Sequence, residues 1–199
     1  MEIVGQDRPL RDEIFQEVQF ASGALCYTDL KNMIAGVELD GEPWDYREVQ
    51  AFFGRFESLL LRINEYADRL DALVLLRAVE HAVRRLNSEI RYIDDYGDYW
   101  DLSKELLVNL HLGAVSRLDW SPGELAAYLV DRYSSEDWHP VHWGADLYVR
   151  GLGDPFQRAM LSEIDTRMAA VSSSDSAESE SVRGELEELK ASVVACEND

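Results

Sequence analysis

Apolar residues recur at three- and four-residue steps over long stretches of this chain, and this periodicity constrains its fold more than any other feature. An α-helix has about 3.6 residues per turn, so such steps place apolar side chains on one face. The first stretch, 46–66, repeats at Val49, Phe52, Phe53, Phe56, Leu59, Leu60 and Ile63. The second, 69–92, is predicted to face inward at Leu73, Leu76, Val79, Val83, Leu86 and Ile90, with Glu80 and Arg84 outside. The short interval between them predicts an antiparallel hairpin.

Local start and stop signals place the later helices. Ser121, Pro122 and Glu124 form a capping box with proline at the first helical position. Asp154 and Pro155 repeat the combination of cap and proline, just after a glycine-rich helix end. The predicted helices are 99–117, 122–133, 141–151 and 154–170. They form two further hairpins, over 99–133 and 141–170.

Three hairpins in a row predict an all-α fold, in which antiparallel helical hairpins stack as a short tetratricopeptide-like or irregular helical bundle. Residues 1–44 are expected to be an N-terminal helical arm and loop, with a short helix around Pro9. Residues 45–171 form the predicted helical-hairpin core domain. Residues 172–199 are acidic, serine-rich and without aromatic residues, which predicts a disordered tail. Within that tail, 185–195 can form one marginal amphipathic helix.

The charge of the chain excludes one class of function. Its 199 residues carry 39 Asp and Glu against 19 Lys and Arg, for a formal net charge of −20. Such a composition offers no basic face to neutralise a run of phosphates, so direct nucleic-acid binding is not expected. The net charge is −7 over 1–46, +1 over 47–92, −8 over 93–171 and −6 over 172–199. The acids on the folded part of 93–171 are therefore the candidates for a recognition surface.

Hydropathy bears on the location of the protein. No apolar stretch reaches the ~18 residues that a membrane-spanning helix needs, and the first residues lack the pattern of a secretory signal peptide. We therefore expect a cytoplasmic protein without membrane association. Cys26 and Cys196 lie at opposite ends of the chain and are expected to be reduced thiols.

An acidic and aromatic segment lies between two predicted helices and contains Asp94, Asp95, Tyr96, Asp98, Tyr99, Trp100 and Asp101. This segment has four carboxylates within eight residues, and carboxylate oxygens can bind Ca²⁺ or Mg²⁺. The spacing does not match an EF-hand, and a solvated turn whose acids cap the next helix is the favoured interpretation. The aspartates up to Asp98 and the three aromatic residues are also candidates for contact with a protein partner.

A second concentrated segment contains Trp138, His139, Pro140, Val141, His142 and Trp143. Two histidines three residues apart can share a metal on one helical face, but Pro140 intervenes and no cysteine or third histidine lies nearby in the sequence. A structural loop that packs its tryptophans between hairpins is the favoured interpretation. The alternative is a contact with a partner through Trp138, His139, His142 and Trp143, since exposed aromatic residues are frequent interface anchors.

The remaining histidines do not indicate catalysis. His81 and His111 each lie in an apolar helical stretch, where a half-buried histidine bonded to a neighbouring helix is expected. No nucleophile accompanies either one, so no acid–base pair can be assigned. Motifs for phosphate loops, dinucleotide binding, serine hydrolases and zinc proteases do not occur in the sequence. The expectation is a protein that is not an enzyme and uses no cofactor or metal.

Five segments between residues 45 and 165 carry a resemblance to a known family: ALVLLRAVEHAVRRL, IDDYGDY, LVNLHLGA, SPGELAAYLVDRY and the tryptophan-containing loop into ADLYVRGLGD. In these segments the chain resembles an uncharacterised bacterial helical-repeat family, whose members often lie beside, or are fused to, SWIM-type zinc-finger modules. The resemblance implies an all-α scaffold of helix pairs that binds something, and it brings no catalytic residue. This chain lacks the finger, because Cys26 and Cys196 cannot supply a Cys-x-Cys…Cys-x-His set.

Two functions from different classes follow from these observations. The first is a non-enzymatic protein–protein interaction domain, an adaptor or scaffold that presents a helical surface to a partner with a basic region. The alternative is an acidic inhibitor of the DNA-mimic, antitoxin or immunity type, which blocks a basic site on its target. A continuous negative stripe along one face would favour the inhibitor.

Overall fold

The computed structural model describes residues 22–38, 45–89, 97–135, 139–171 and 177–196, and the helix expected around Pro9 lies outside these ranges. Within them the regular elements are eight α-helices and one 3-10 turn, without a strand, so the predicted all-α class is confirmed. The helices are α1 Tyr27–Ala35, α2 Tyr46–Glu65, α3 Ala72–Glu89, α4 Gly97–Val115, α5 Pro122–Ser135, α6 Pro140–Leu152, α7 Asp154–Val171 and α8 Ala177–Ala195. None of these described helices is both long and apolar enough to cross a lipid bilayer.

The chain divides into two compact units, Met1–Ala114 and Val115–Asp199. This division differs from the predicted one, in which a single core domain covers 45–171. The boundary falls between the two helices of the predicted hairpin 99–133, so this hairpin does not lie within one unit. Periodicity shows which face of a helix is apolar, but it does not show which other helix covers that face.

In the first unit, α2 buries most of the stripe that its sequence predicts. The ring of Phe52 stacks on Phe56 with centroids 6.0 Å apart and meets Phe53 edge-on at 5.5 Å. All three rings are buried, and each contributes ~1.5–3 kcal/mol through removal of its apolar surface from water. The carboxylate of Asp45 caps the helix by accepting a hydrogen bond from the Arg47 N–H at 3.0 Å.

The buried face of α3 is wider than predicted. Leu73 was expected inside but is exposed, whereas Leu75 is fully buried. Glu80 was expected outside but is buried. The cause is tertiary: α1 packs closely on α3, and the small residues Ala78 and Ala82 are buried as well. A helix with neighbours on more than one side buries more than one stripe.

Before α1, the chain passes against the 3-10 turn at Gly23. This glycine has a φ of +67°, in the left-handed region that side chains with a Cβ adopt rarely. A Cβ added there would also collide with the backbone carbonyl of Arg69, in the 3-10 turn Ala67–Arg69. Glycine is therefore required at this position by both conformation and space.

The second unit contains α5 to α8. α5 packs most extensively against α7, while α6 lies between them in the chain and contacts both. A single residue, Gly153 with a φ of +78°, separates α6 from α7. The core is formed by Leu125, Ala126, Leu129, Val130, Val141, Ala145, Tyr148, Val149, Phe156, Met160, Ile164, Leu186, Leu189 and Val193.

The predicted disordered tail contains α8, which is longer than the marginal helix considered over 185–195. α8 contacts α5, α6 and α7, and it buries Leu186, Leu189 and Val193. The serine- and acid-rich composition that indicates disorder describes the outer face of this helix. Its three apolar residues at helical spacing are sufficient for docking once other helices provide a surface, and that surface is a property of the tertiary fold.

We predict that Gly23→Ala lowers the free energy of unfolding by ~2 kcal/mol or more, because alanine is strained at positive φ and its Cβ meets the Arg69 carbonyl. Chemical denaturation of the full chain measures this change. Gly54→Ala is the matched control, since no atom lies within 4 Å of its added Cβ on α2. The control should stabilise the protein by up to ~1 kcal/mol. Equal effects of the two substitutions would contradict the interpretation.

Candidate functional site

The acidic and aromatic segment between α3 and α4 is described in part. Asp94, Asp95 and Tyr96 lie outside the described residues. Asp98, Tyr99, Trp100 and Asp101 lie in the first turns of α4, where the structure describes the backbone but not their side chains. Gly97 was expected in a turn and is instead the first residue of the helix. The contact role of this segment stays a prediction.

The two histidines of the 138–143 segment contact the rings of two different tyrosines. His139 is the N-cap of α6, where its Nδ1 accepts a hydrogen bond from the Val141 N–H at 3.3 Å. The His139 ring also meets Tyr128 edge-on, with centroids 6.4 Å apart. His142 stacks on Tyr133 at 4.0 Å, with an angle of 20° between the rings. The two imidazoles therefore have different neighbours, and the described residues contain no cluster of ligands suited to a metal.

The solvent exposure of these side chains contradicts the predicted contact role of one of them, His139. His139 is 0% exposed, so its side chain serves the helix cap and the core rather than an open surface. His142 and Trp143 are half-buried, and Trp138 lies outside the described residues. Pro140 explains the position of His139. Because Pro140 is the first residue of α6, the residue before it, His139, becomes the N-cap.

Two tyrosines near these histidines are held in the neutral form. Burial, with the negative charges of Glu188 and Glu185 on α8, raises the pKa of Tyr133. Complete burial, with a smaller contribution from Tyr128, raises the pKa of Tyr148 well above its usual value. Both phenols therefore keep their protons near neutral pH, so they offer rings and hydroxyl groups rather than a base or a nucleophile.

The aromatic residue that reaches the surface here is Trp120, which was not among the predicted contact residues. It is 36% exposed and packs edge-on against Tyr128, with centroids 5.2 Å apart. The Arg132 guanidinium lies over the Tyr128 ring, 5.4 Å from its centroid. Tyr128 and Arg132 are four residues apart on α5 and therefore share a face. We call these three residues the Trp120 surface.

The capping box of α5 fixes the chain at Ser121, the residue that follows Trp120. The Ser121 N–H and hydroxyl donate to Oε2 of Glu124 at 2.8 and 2.7 Å, and the Glu124 N–H donates to the Ser121 hydroxyl at 3.3 Å. The hydrogen bonds from Ser121, first its side chain and then its backbone, lower the pKa of Glu124. The sequence signal for the site was available: a tryptophan immediately before a capping box occupies the position that packs on the following helix.

Acidic residues lie close to Trp120 in the chain, and the unit that contains the Trp120 surface is negatively charged. Asp119 and Glu124, on either side of Trp120 in the chain, are exposed. The unit Val115–Asp199 has 17 acidic and 7 basic residues, and hence a net charge of −10. Asp131 is exposed on α5 and lies 3.6 Å from the Arg167 guanidinium. An open indole ring in this setting can accept a cationic side chain.

The two histidines of the first unit lie inside the helical packing. His111 on α4 is fully buried. His81 on α3 is half-buried, and its enclosed Nε2 finds no hydrogen-bond partner among the described residues. Burial, followed by the positive charges of Lys31, Arg84 and Arg85, lowers the pKa of His81. His81 is therefore neutral at pH 7.

Comparison of the chain with protein-family models, curated proteins and solved structures finds no match. The resemblance to the SWIM-associated helical family therefore stays a prediction.

We predict that the protein loses stability as the pH falls below ~6.5 and that His81→Gln removes part of this loss. Histidine in the unfolded chain takes up a proton near that pH, while folded His81 resists it, so protonation favours the unfolded state. The slope from one such group is at most ~1.4 kcal/mol per pH unit. Denaturation midpoints between pH 8 and 5 measure it, and Arg84→Gln should give an intermediate slope. A difference between wild type and His81→Gln that is constant over this range would contradict the prediction.

Proposed function

We propose that this chain is a non-enzymatic protein–protein interaction domain and that the Trp120 surface is its contact with the partner. The observation that carries the proposal is the exposure of Trp120 while its ring is held against Tyr128. Tryptophan, tyrosine and arginine are the residues most enriched among interface hot spots, and the Trp120 surface contains one of each. Because packing and the capping box already restrict the ring, binding costs little additional side-chain entropy.

The chemistry of the neighbouring groups supports binding rather than catalysis. The tyrosines of this unit with shifted pKa values are shifted away from ionisation, and His139 is committed to capping α6. A general base needs a pKa near the working pH and access to its substrate. Tyr133 and Tyr148 are buried, so the ring of this region that can pack against another protein is the exposed one of Trp120.

The partner that fits this surface is one with a basic segment. Arg132 over Tyr128 is an example within the unit of a cation on an aromatic ring, and indole is the stronger acceptor of such a contact. A lysine or arginine of the partner can lie over Trp120 in the same way. Asp119, Glu124 and the net negative charge of the unit would steer a basic segment toward it at low ionic strength.

The alternative function, an acidic inhibitor that imitates nucleic acid, receives less support. A mimic has to present regularly spaced charges that are not already neutralised. Several acids of the second unit are paired: Asp165 with Lys190 at 2.6 Å, Glu163 with Arg167 at 2.8 Å and Glu187 with Arg183 at 3.0 Å. These pairs interrupt the negative surface that α7 and α8 would otherwise offer.

The same proposal retains three expectations from the sequence. The hairpins are arranged in a tetratricopeptide-like manner, the protein works in the cytoplasm, and it belongs with the SWIM-associated helical family. In that setting it acts as an adaptor or scaffold.

We predict that Trp120→Ala weakens binding of a fluorescein-labelled arginine- and lysine-rich peptide by ~10-fold or more, because truncation removes the exposed ring. Fluorescence anisotropy measures the affinity at ionic strengths of ~0.05 M and ~0.5 M, and binding should decrease with salt. Leu147→Ala is the matched control, since Leu147 is 40% exposed on α6 and lies outside the Trp120 surface. Equal affinities for wild type and Trp120→Ala would rule out this surface as the contact.

A further inference from the structure

α8 is attached to the second unit by a narrow apolar stripe. The described apolar side chains that it buries are Leu186, Leu189 and Val193, each at most 1% exposed, in the spacing L-x-x-L-x-x-x-V. The adjacent Val194 is 39% exposed on the outer side. The stripe lies on α5, α6 and α7, which together form the groove that α8 occupies. This is the arrangement in which a groove receives an amphipathic helix.

The groove also carries a polar group placed to receive the end of a helix. Gln157 on α7 is buried, and its Nε2 donates a hydrogen bond to the Val193 carbonyl at 3.0 Å. This carbonyl belongs to the last turn of α8, where a helix leaves its own carbonyls without regular partners. Gln157 therefore fixes the register of the helix in the groove, independently of the apolar side chains.

α8 and the preceding part of the second unit, residues 115–171, both carry a net negative charge. The helix has five glutamates against Arg183 and Lys190, a net charge of −3, and residues 115–171 have nine acids against five bases, a net charge of −4. The Lys190–Asp165 pair compensates in part, but it is exposed. The two like-charged parts repel each other, and added salt screens the repulsion.

α8 contains residues that disfavour a helix among many glutamate, alanine and leucine residues that favour one. Gly184 lies in its middle with open space around the added Cβ position, and several serines lie within it. Glycine in a helix interior is destabilising, and serine competes for backbone hydrogen bonds. α8 follows α7 in the same chain after five residues, 172–176, so a displaced α8 stays covalently attached.

We propose that α8 is a displaceable cover over a second interaction groove, formed by α5, α6 and α7, and that the partner for this groove is a basic amphipathic helix. Such a helix with the L-x-x-L-x-x-x-V spacing fills the same pockets and offers a terminal carbonyl to Gln157. It also replaces repulsion by attraction, which α8 cannot do. This proposal is separate from the Trp120 surface and does not depend on it.

The first test uses the full chain with Leu189→Asp, which releases α8, and a labelled peptide of residues 177–196 carrying Glu180→Lys, Glu187→Lys and Glu188→Lys. These changes alter the peptide charge from −3 to +3 and leave the stripe intact. We expect the peptide to bind the Leu189→Asp chain ~10-fold or more tighter than wild type, because α8 no longer competes, and to bind better than the native-sequence peptide. Val194→Asp is the matched control and should behave as wild type. Equal binding to wild type and Leu189→Asp would overturn the proposal.

The second test measures amide hydrogen exchange of the wild-type chain and of Leu189→Asp. Amide hydrogen exchange of the wild-type chain should show α8 exchanging faster than α5 and α7, with a difference that narrows as salt is added. If α8 is as protected as α5 and α7 at every salt concentration, it belongs to the cooperative core and the proposal is wrong. The same conclusion follows if Leu189→Asp abolishes protection in α5 to α7. A Leu189→Asp dimer that excludes the peptide would show that a second copy, and not a basic helix, fills the groove.

Discussion

The second unit depends on the packing of α5 against α7, two helices that are separated in the chain by α6. α5 presents Leu125, Leu129 and Val130 to the core, and α7 presents Phe156, Met160 and Ile164. For this packing to form, α6 has to return the chain within a short distance, which the one-residue connection at Gly153 allows. Once the core side of α5 is buried, helical geometry directs Tyr128 and Arg132 to another side. The Trp120 surface is therefore a consequence of how the core forms.

The two proposed binding regions differ in their accessibility: one is exposed, and the other is occupied by α8. The Trp120 surface is open, and local bonds hold it: the capping box places the tryptophan, and Tyr128 supports the ring. The groove under α8 is covered, and its occupant is tethered to the same chain. Both would favour basic partners because of the net charge of −10 on the unit. On these two proposals, the acidity of the chain would favour basic partners at both places and would weaken the docking of α8 at one of them.

Local signals predicted the helices well, because capping and periodicity act over a few residues. The capping box at Ser121 and the cap and proline at Asp154 start α5 and α7 at or beside the expected positions. Local signals failed where a second neighbour changed the outcome. Glu80 and Leu75 are buried on α3, against which α1 packs closely, and His139 is buried at the N-cap of α6, whose first residues Pro140 and Val141 are buried as well. The polar composition of 172–199 predicted disorder instead of α8 for the same reason. Only the groove distinguishes the buried face of α8 from its exposed face.

The sequence by itself determined that this chain is all-α, where most of its helices begin and end, and that its surface is acidic, because these properties follow from spacing, caps and composition. The tertiary structure decided which helices share a core, that α8 is docked, and that, within the part of the chain that the structure describes, the aromatic ring of Trp120 is exposed while His139 lies inside. Those outcomes depend on contacts between residues far apart in the chain. Each such contact is chosen by the shape and charge of a surface that exists only after the helices have packed.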